Sequence, residues 1–481
     1  MTNDTICALA TPPGGAIGII RISGEKAIDI TDRVFQPANN GRKTAGGEET
    51  TTRRLENART QTVHYGTIAD AEGNTIDDVL VTVFRAPHSY TGEDCTEISC
   101  HGSRYILKMV LQLLTDAGCR QARPGEYTQR AFMNGKMDLS QAEAVADLIA
   151  ATNGATHRIA MAQLKGNIGT TLSQLRDRLL KMTSLIELEL DFSDHEELEF
   201  ADRKELLALA NAISQHIGRL ASSYTSGHAI RQGIPVAIVG KTNVGKSTLL
   251  NLLVGDDKAI VSDIHGTTRD VIEDTTDING VTFRFIDTAG LRATDDEIER
   301  IGIERTYKKL DDAAIVLWMV DTVPSDKECT DMMRRCRDKK LIVVNNKTDI
   351  ANIVSQIKDM FGRITATDTA TDVCQNIEFA GISATTGNNT DALRDTIYRL
   401  ADIPALHEND VIITSARHYN SLILAQDSIT KVIDGINTGL SGDLLSEDLR
   451  QCLDHLAEIT GERINTEEVL GNIFKHICVG K

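Results

Sequence analysis

The sequence predicts a multidomain protein: an α+β N-terminal domain, an all-α helical domain, and an α/β P-loop domain inserted into the helical one. Three observations predict it. Strand-like alternation with two helical patterns fills the first 120 residues, helix-period stripes lie on both sides of a central segment, and that segment places an apolar run, a glycine loop and a second apolar run in succession. A chain of 481 residues exceeds one core. Domains of about 100–200 residues suggest roughly three. We read the boundaries as 1–134, 135–229, 230–400 and 401–481, with the second and fourth spans forming one helical domain. Such an insertion needs its two ends close together.

Taken in order, the run 16–24 reads as a strand and 25–35 as a helix. Residues 37–60, rich in Asn, Gly, Thr, Glu and Arg, lack periodicity and read as a mobile loop. Strand patterns resume at 62–68 and 78–84 across the turn signal Glu72-Gly73-Asn74, and a further run, 95–100, leads past His101-Gly102 into a helix at 104–117. From 140 to about 220 the period is helical: Leu206, Leu209, Ile213, Ile217 and Leu220 share a face, and Leu185, Ile186, Leu188 and Leu190 do so less cleanly. Leu445, Leu449, Leu453, Leu456 and Ile459 form a late stripe ending before Gly461.

Composition excludes several classes. Nine Cys include no C-x-x-C pair and no zinc-ligand spacing, and their odd number argues against a disulfide framework, so the compartment is read as cytoplasmic. Residues 1–9 carry no leader pattern, and no apolar run reaches the ~18 residues a membrane span needs, which predicts a soluble protein without a membrane partner. A net charge of −18 disfavours non-specific polyanion binding, so a nucleic acid would need a local patch or a partner.

The chemistry concentrates in the insert. Gly240-Lys241-Thr242-Asn243-Val244-Gly245-Lys246-Ser247 follows the run 236–239 and precedes Thr248 and an apolar helix. Loop N–H groups cradle phosphate oxygens there, the helix N-terminus adds its dipole, Lys246 reaches the β/γ-phosphates and Ser247 offers a hydroxyl to Mg²⁺. Asp287-Thr288-Ala289-Gly290 ends the strand 283–286, placing a carboxylate at the Mg²⁺ shell and a glycine N–H at the γ-phosphate. Asn346-Lys347-Thr348-Asp349 ends the strand 341–344. A carboxylate there accepts from guanine N1–H and N2–H₂, donors adenine lacks. Ser383-Ala384 supports the base, and Gly266-Thr267-Thr268 holds a hydroxyl, that of Thr268, for the Mg²⁺ shell. The nucleotide is therefore read as GTP and the insert as a GTPase of the translation-factor-like class. Leu291 stands where many small GTPases carry the glutamine that orients water. Arg292, Asp295, Asp296, Glu297 and Glu299 are the nearby polar candidates to replace it.

The whole chain resembles the tRNA wobble-uridine modification GTPase family MnmE (TrmE). The resemblance rests on Cys478-Val479-Gly480-Lys481, on Ala10-Thr11-Pro12-Pro13-Gly14 with 18–24, on Tyr90-Thr91-Gly92-Glu93-Asp94, on His101-Gly102, and on 123–128 followed by Arg130-Ala131-Phe132. It implies that Asn243, Ser262, Ile264 and Thr267 hold K⁺ in a nucleotide loop that also contains Asp263, His265 and Gly266, and that Glu299 orients the water. It implies contacts from Arg21, Glu97, Lys136 and Lys481 to a 5-formyl-tetrahydrofolate or related one-carbon folate, and modification chemistry at Cys478. Finally it implies a homodimer acting on tRNA with the flavoprotein MnmG, FAD lying on that partner. A regulatory or ribosome-assembly GTPase switch without modification chemistry shares the insert's motifs but not the flanks.

Overall fold

The computed structural model describes residues 4–38, 55–70, 72–191, 203–255, 274–286, 310–367, 374, 376–403 and 410–462. Those within Met1–Ala150, Ala160–Ile217 and Ser421–Lys481 form one compact unit, and those within Ala151–Ile159 and Gly218–Asn420 a second.

The first unit opens with β1 (Ile6–Leu9), too short to show alternation in the sequence, followed by β2 (Ile17–Ser23), α1 (Ala27–Val34), β3 (Phe35–Pro37), β4 (Thr62–Ala69) and β5 (Thr75–Phe84). Then come β6 (Cys95–His101), α2 (Arg104–Asp116), β7 (Arg120–Gln121) and α3 (Glu126–Met133). Seven strands make one sheet in the order β3-β4-β5-β6-β2-β1-β7. Every pair is antiparallel except β1 with β7. Strand β5 shows the cause: Val79, Val81 and Val83 are buried while Leu80 between them is exposed, because side chains alternate across a pleated strand. Ile28 and Ile30 of α1 and Leu107, Val110 and Leu114 of α2 pack with those valines in one core. Of the loop expected at 37–60, residues 39–54 lie outside the described residues, and the ends that are described are structured. Pro37 still belongs to β3, and residues 55–57 form a 3-10 turn whose Leu55 is buried and donates its N–H to Asp32 Oδ1 at 2.8 Å. One buried leucine in a polar stretch has no period to reveal it.

Helices α4 (Leu139–Ala150), α5 (Gly154–Leu164), α6 (Asn167–Asp191) and α7 (Arg203–Gln232) follow. On α6 the buried stripe is Ile168, Leu172, Leu175, Leu179, Met182 and Ile186, steps of three and four that begin well before the run at 185–190. On α7, Leu206, Ile213, Ile217 and Leu220 are buried as expected, while Ala210 is fully buried and Leu209 only half so.

In the second unit, β8 (Ile234–Gly240), α8 (Lys246–Val254), β9 (Asp274–Ile278), β10 (Val281–Ile286) and β11 (Ile315–Val320) lead to α9 (Asp326–Arg335) and β12 (Lys340–Asn345). They are followed by α10 (Val354–Thr367), β13 (Ile377–Gly381) and α11 (Thr390–Leu400). The sheet order is β13-β12-β11-β8-β10-β9. Only the β9–β10 pair is antiparallel. All six residues of β11 are buried, as a parallel strand covered on both faces requires. Ile238 and Leu317 face one core, with Leu249 and Leu393, and Val239, Val316 and Trp318 face the other, with Met333 and Phe361. In such sheets ligands bind beyond the carboxyl ends of the strands.

The chain then runs through α12 (Ala416–Thr438) and α13 (Gly442–Thr460). The buried stripe on α13 is Leu445, Leu449, Cys452, Leu456 and Ile459, so Cys452 holds the place expected for Leu453. Its Sγ donates to Ala425 O of α12 at 3.5 Å, and Arg450 pairs with Glu187 of α6 at 3.0 Å.

Candidate nucleotide site

Strand β8 delivers the loop 241–245 to the carboxyl edge of the sheet, where α8 begins at Lys246. The N–H groups of that first turn have no intrahelical partner, and the helix dipole favours an anion there. Both glycines that bound the loop are required by space as well as by φ, which is +153° at Gly240 and +99° at Gly245. A Cβ on Gly240 would run into Met319 O, and one on Gly245 into Asn346 Nδ2. Val244 is buried in the core beneath, while Asn243, at φ +61°, and Ser247 and Thr248 remain exposed. Lys246 Nζ donates to Gly240 O at 2.8 Å and to Lys241 O at 2.6 Å. Burial holds its ammonium below the ordinary lysine range. A half-buried cation bonded to neutral carbonyls keeps its full charge for an anion, so this donor set fits phosphates with the Ser247 hydroxyl beside them for Mg²⁺. On the outer side, Lys241 Nζ meets Glu328 Oε1 of α9 at 2.7 Å. Lys241, helped by the Ser325 N–H, pulls the Glu328 carboxyl down to about 2.

Asn346 joins the three separated segments. Its Nδ2 donates to Val244 O in the phosphate loop at 2.8 Å, its Oδ1 accepts from Ala384 N–H at 2.9 Å, and the residue is buried. Ser383 is buried as well, its Oγ accepting from Thr386 N–H at 3.4 Å. Lys347 Nζ reaches Asp321 Oδ2 at the end of β11, and Asp349 stands exposed on the next turn. The structure thus gathers Asn243, Val244, Gly245, Lys246, Ser247, Thr248, Asn346, Lys347, Asp349, Ser383 and Ala384 around one edge of one sheet. Ser262, Asp263, Ile264, His265, Gly266, Thr267, Thr268, Asp287, Thr288, Ala289, Gly290, Leu291 and Glu299 lie outside the described residues. Sequence reasoning missed Asp321, whose only signal was its place at the end of an apolar run.

A second cluster lies in the first unit. Arg21 of β2 and Glu97 of β6 stand directly opposite in register, with Nε–Oε1 at 2.8 Å and Nη2–Oε1 at 2.7 Å. The guanidinium sits 5.8 Å from the ring centroids of both Tyr90 and Tyr127, and Tyr127 OH donates to the Arg21 carbonyl at 2.6 Å. Lys136 is exposed, its Nζ donating to Pro87 O at 2.8 Å. Beneath runs an ionic network: Arg130 meets Asp4, Glu93 and Glu126, and Arg120 meets Asp4 and Glu126. Burial opposes the charged form of Asp4 and Glu126, but the guanidinium groups outweigh it and hold both carboxyls below the usual range. Tyr90 and Tyr127 were invisible as site residues in the sequence. Cys478 and Lys481 lie outside the described residues, among which the eight other cysteines are free and buried. Among those residues no helix is long and apolar enough to cross a membrane.

The family model for the MnmE helical domain matches residues 139–478, and that for the GTP-binding protein TrmE N-terminus matches 5–136. The tRNA modification GTPase MnmE of Bacteroides fragilis is 52% identical over 491 residues, covering 100% of both chains. That of Christiangramia forsetii is 45% identical over 496 residues, covering 100% of this chain and 99% of its own. Among solved structures, Aquifex aeolicus Era bound to GDP and AlF4⁻ is 30% identical over 40% of this chain and 66% of its own, with a TM-score of 0.26, too low to carry a structural argument. With both flanks of the glycine loop matched and about half of all positions identical from end to end, the chain belongs to the MnmE (TrmE) family of tRNA modification GTPases.

Proposed function

We propose that this tRNA-modification GTPase hydrolyses GTP with the help of K⁺ and Mg²⁺ and works with the FAD-dependent partner MnmG to place an aminomethyl-type (carboxymethylaminomethyl) group on C5 of the wobble uridine of certain tRNAs. The Asn346 bridge carries the nucleotide half of this reading, since it fixes the phosphate loop and the base-supporting loop with one buried amide. The full-length match to proteins named tRNA modification GTPase MnmE supports the other half.

In this reading the loop N–H groups and Lys246 bind the phosphates, Asp349 accepts from the guanine N1–H and N2–H₂, and Ser383-Ala384 back the base. Ser247 with Thr268 would hold Mg²⁺, and Asn243, Ser262, Ile264 and Thr267 would hold K⁺. Together the two ions, when bound, supply positive charge against the oxygens on which negative charge develops. Asp263, His265, Gly266, Asp287, Thr288, Ala289 and Gly290 complete the nucleotide loops, and Glu299 orients water in place of the glutamine that Leu291 replaces. Arg21, Glu97, Lys136 and Lys481 would hold 5-formyl-tetrahydrofolate, Arg and Lys suiting its carboxylates and Glu its pterin donors. Cys478 takes part in the modification.

Residues 1–134 act as the folate and dimerisation domain, 135–229 with 401–481 as the helical domain, and 230–400 as the inserted G domain of a cytoplasmic homodimer. The test is nucleoside analysis of tRNA from cells lacking this protein, with loss of the C5-modified wobble uridine expected. An unchanged profile overturns the modification reading, and equal GTPase rates in KCl and NaCl overturn the part played by K⁺.

A further inference from the structure

Lys347 and Asp321 leave the carboxyl ends of neighbouring parallel strands. Val320 of β11 stands opposite Asn345 of β12, and Asn346 N–H donates to Val320 O at 2.8 Å, which sets the two exits side by side. There Lys347 Nζ meets Asp321 Oδ2 at 2.7 Å. The backbone of Lys347 is also fixed: its φ of +59° lies in the left-handed region that a non-glycine residue rarely adopts, and its carbonyl accepts from the N–H groups of Ile350 and Ala351. The turn that follows therefore presents the exposed Asp349 two residues beyond a lysine whose ammonium is engaged elsewhere.

Lysine carries its charge on a flexible four-carbon stem, so an ammonium released from Asp321 is free to engage another carboxylate, and Asp349 lies two residues further along the same turn. A carboxylate engaged by an ammonium has fewer lone pairs for a base edge. We propose that Asp321 is a positioning residue for guanine selection: by holding the Lys347 ammonium at the end of β11, it keeps the Asp349 carboxylate available to the base's N1–H and 2-amino group. This rests on the reading of Asp349 as the guanine acceptor.

The two are separable with the full-length chain. Competition against a fluorescent GDP analogue gives the affinities for GDP and for IDP, which lacks the 2-amino group, and wild type is expected to prefer GDP. Asp321→Asn lowers that preference by roughly two- to fivefold, the range over which a partly exposed ion pair competes. Asp321→Glu keeps it. Adding Lys347→Met to Asp321→Asn, which removes the ammonium and keeps an apolar stem, restores it. Equal weakening of GDP and IDP in Asp321→Asn, or no recovery in the double variant, overturns the proposal alone. Equal binding of the two nucleotides by wild type overturns the guanine reading and the proposal with it.

Discussion

The nucleotide cradle of the second unit and the Arg21 cluster of the first each hold a partly buried cation, yet they are made differently. The cradle is built largely by consecutive backbone: two glycines whose φ values only glycine adopts with ease, a helix N-terminus, and a lysine that bonds to the loop's own carbonyls. The Arg21 cluster is built by side chains from separate strands and helices, resting on a network in which Arg130 alone meets three carboxylates. The first kind of site fails when a backbone position is altered. The second fails when a charge loses its partner.

Arg130→Met should break the second kind hardest. It leaves Asp4, Glu93 and Glu126 without one of their cations, and since some of these groups are a quarter to a third exposed we expect about 3 kcal/mol, the low end for a broken buried pair. The urea midpoint should fall while GDP affinity holds; an unchanged midpoint would mean the network is solvated. Gly245→Ala tests the first kind. A Cβ there meets Asn346 Nδ2 and the φ of +99° is strained, so GDP binding should weaken by about thirtyfold, or ~2 kcal/mol, in a fluorescence titration. Retained affinity would show that the loop can relax.

Arg21→Lys sharpens the contrast further, because charge is conserved while the planar guanidinium between two tyrosine rings is lost. Equilibrium dialysis with 5-formyl-tetrahydrofolate should show a roughly tenfold weaker complex; equal binding by both forms would remove Arg21 from the site. The smallest effect concerns Glu328. Its carboxyl sits at about 2 in the folded chain against 4.5 ordinarily, so its contribution is present above pH 4.5 and is lost as pH falls towards 2. With that side chain 38% exposed, solvent screening limits the contribution to about 0.5 kcal/mol. Wild type and Glu328→Gln should therefore differ in urea midpoint at pH 7 and converge only near pH 2; a difference that persists at pH 2 would assign the effect to packing.

Legibility followed the same division. The strand, loop and helix around Gly240 and Gly245 could be read directly, because their spacing is local and their chemistry is the backbone's. The bridge made by Asn346 could not: its two partners lie 102 and 38 residues away, and asparagine before a base-reading motif gives no hint that it also ties down the phosphate loop. Among the helices, the α7 stripe was legible, whereas the long stripe of α6 was obscured by the Leu-rich run at its end, and Cys452 rather than Leu453 took the buried place on α13. A cysteine is a small apolar residue in a core, but its sequence signal is usually read as chemistry.

By itself the sequence determined the fold class, the phosphate loop and the residue types available to bind a guanine nucleotide, because steric limits on φ and the periods of strand and helix act over a few residues. Only the tertiary structure decided which charges meet. Arg21 faces Glu97 because β2 and β6 pair in that register, and Asp321 faces Lys347 because β11 and β12 are parallel neighbours. A shift of one residue between β2 and β6 would send Arg21 and Glu97 to opposite faces, and one between β11 and β12 would offset the two strand exits from each other; register is fixed by the burial of the whole sheet rather than by any stretch of chain that could be read alone.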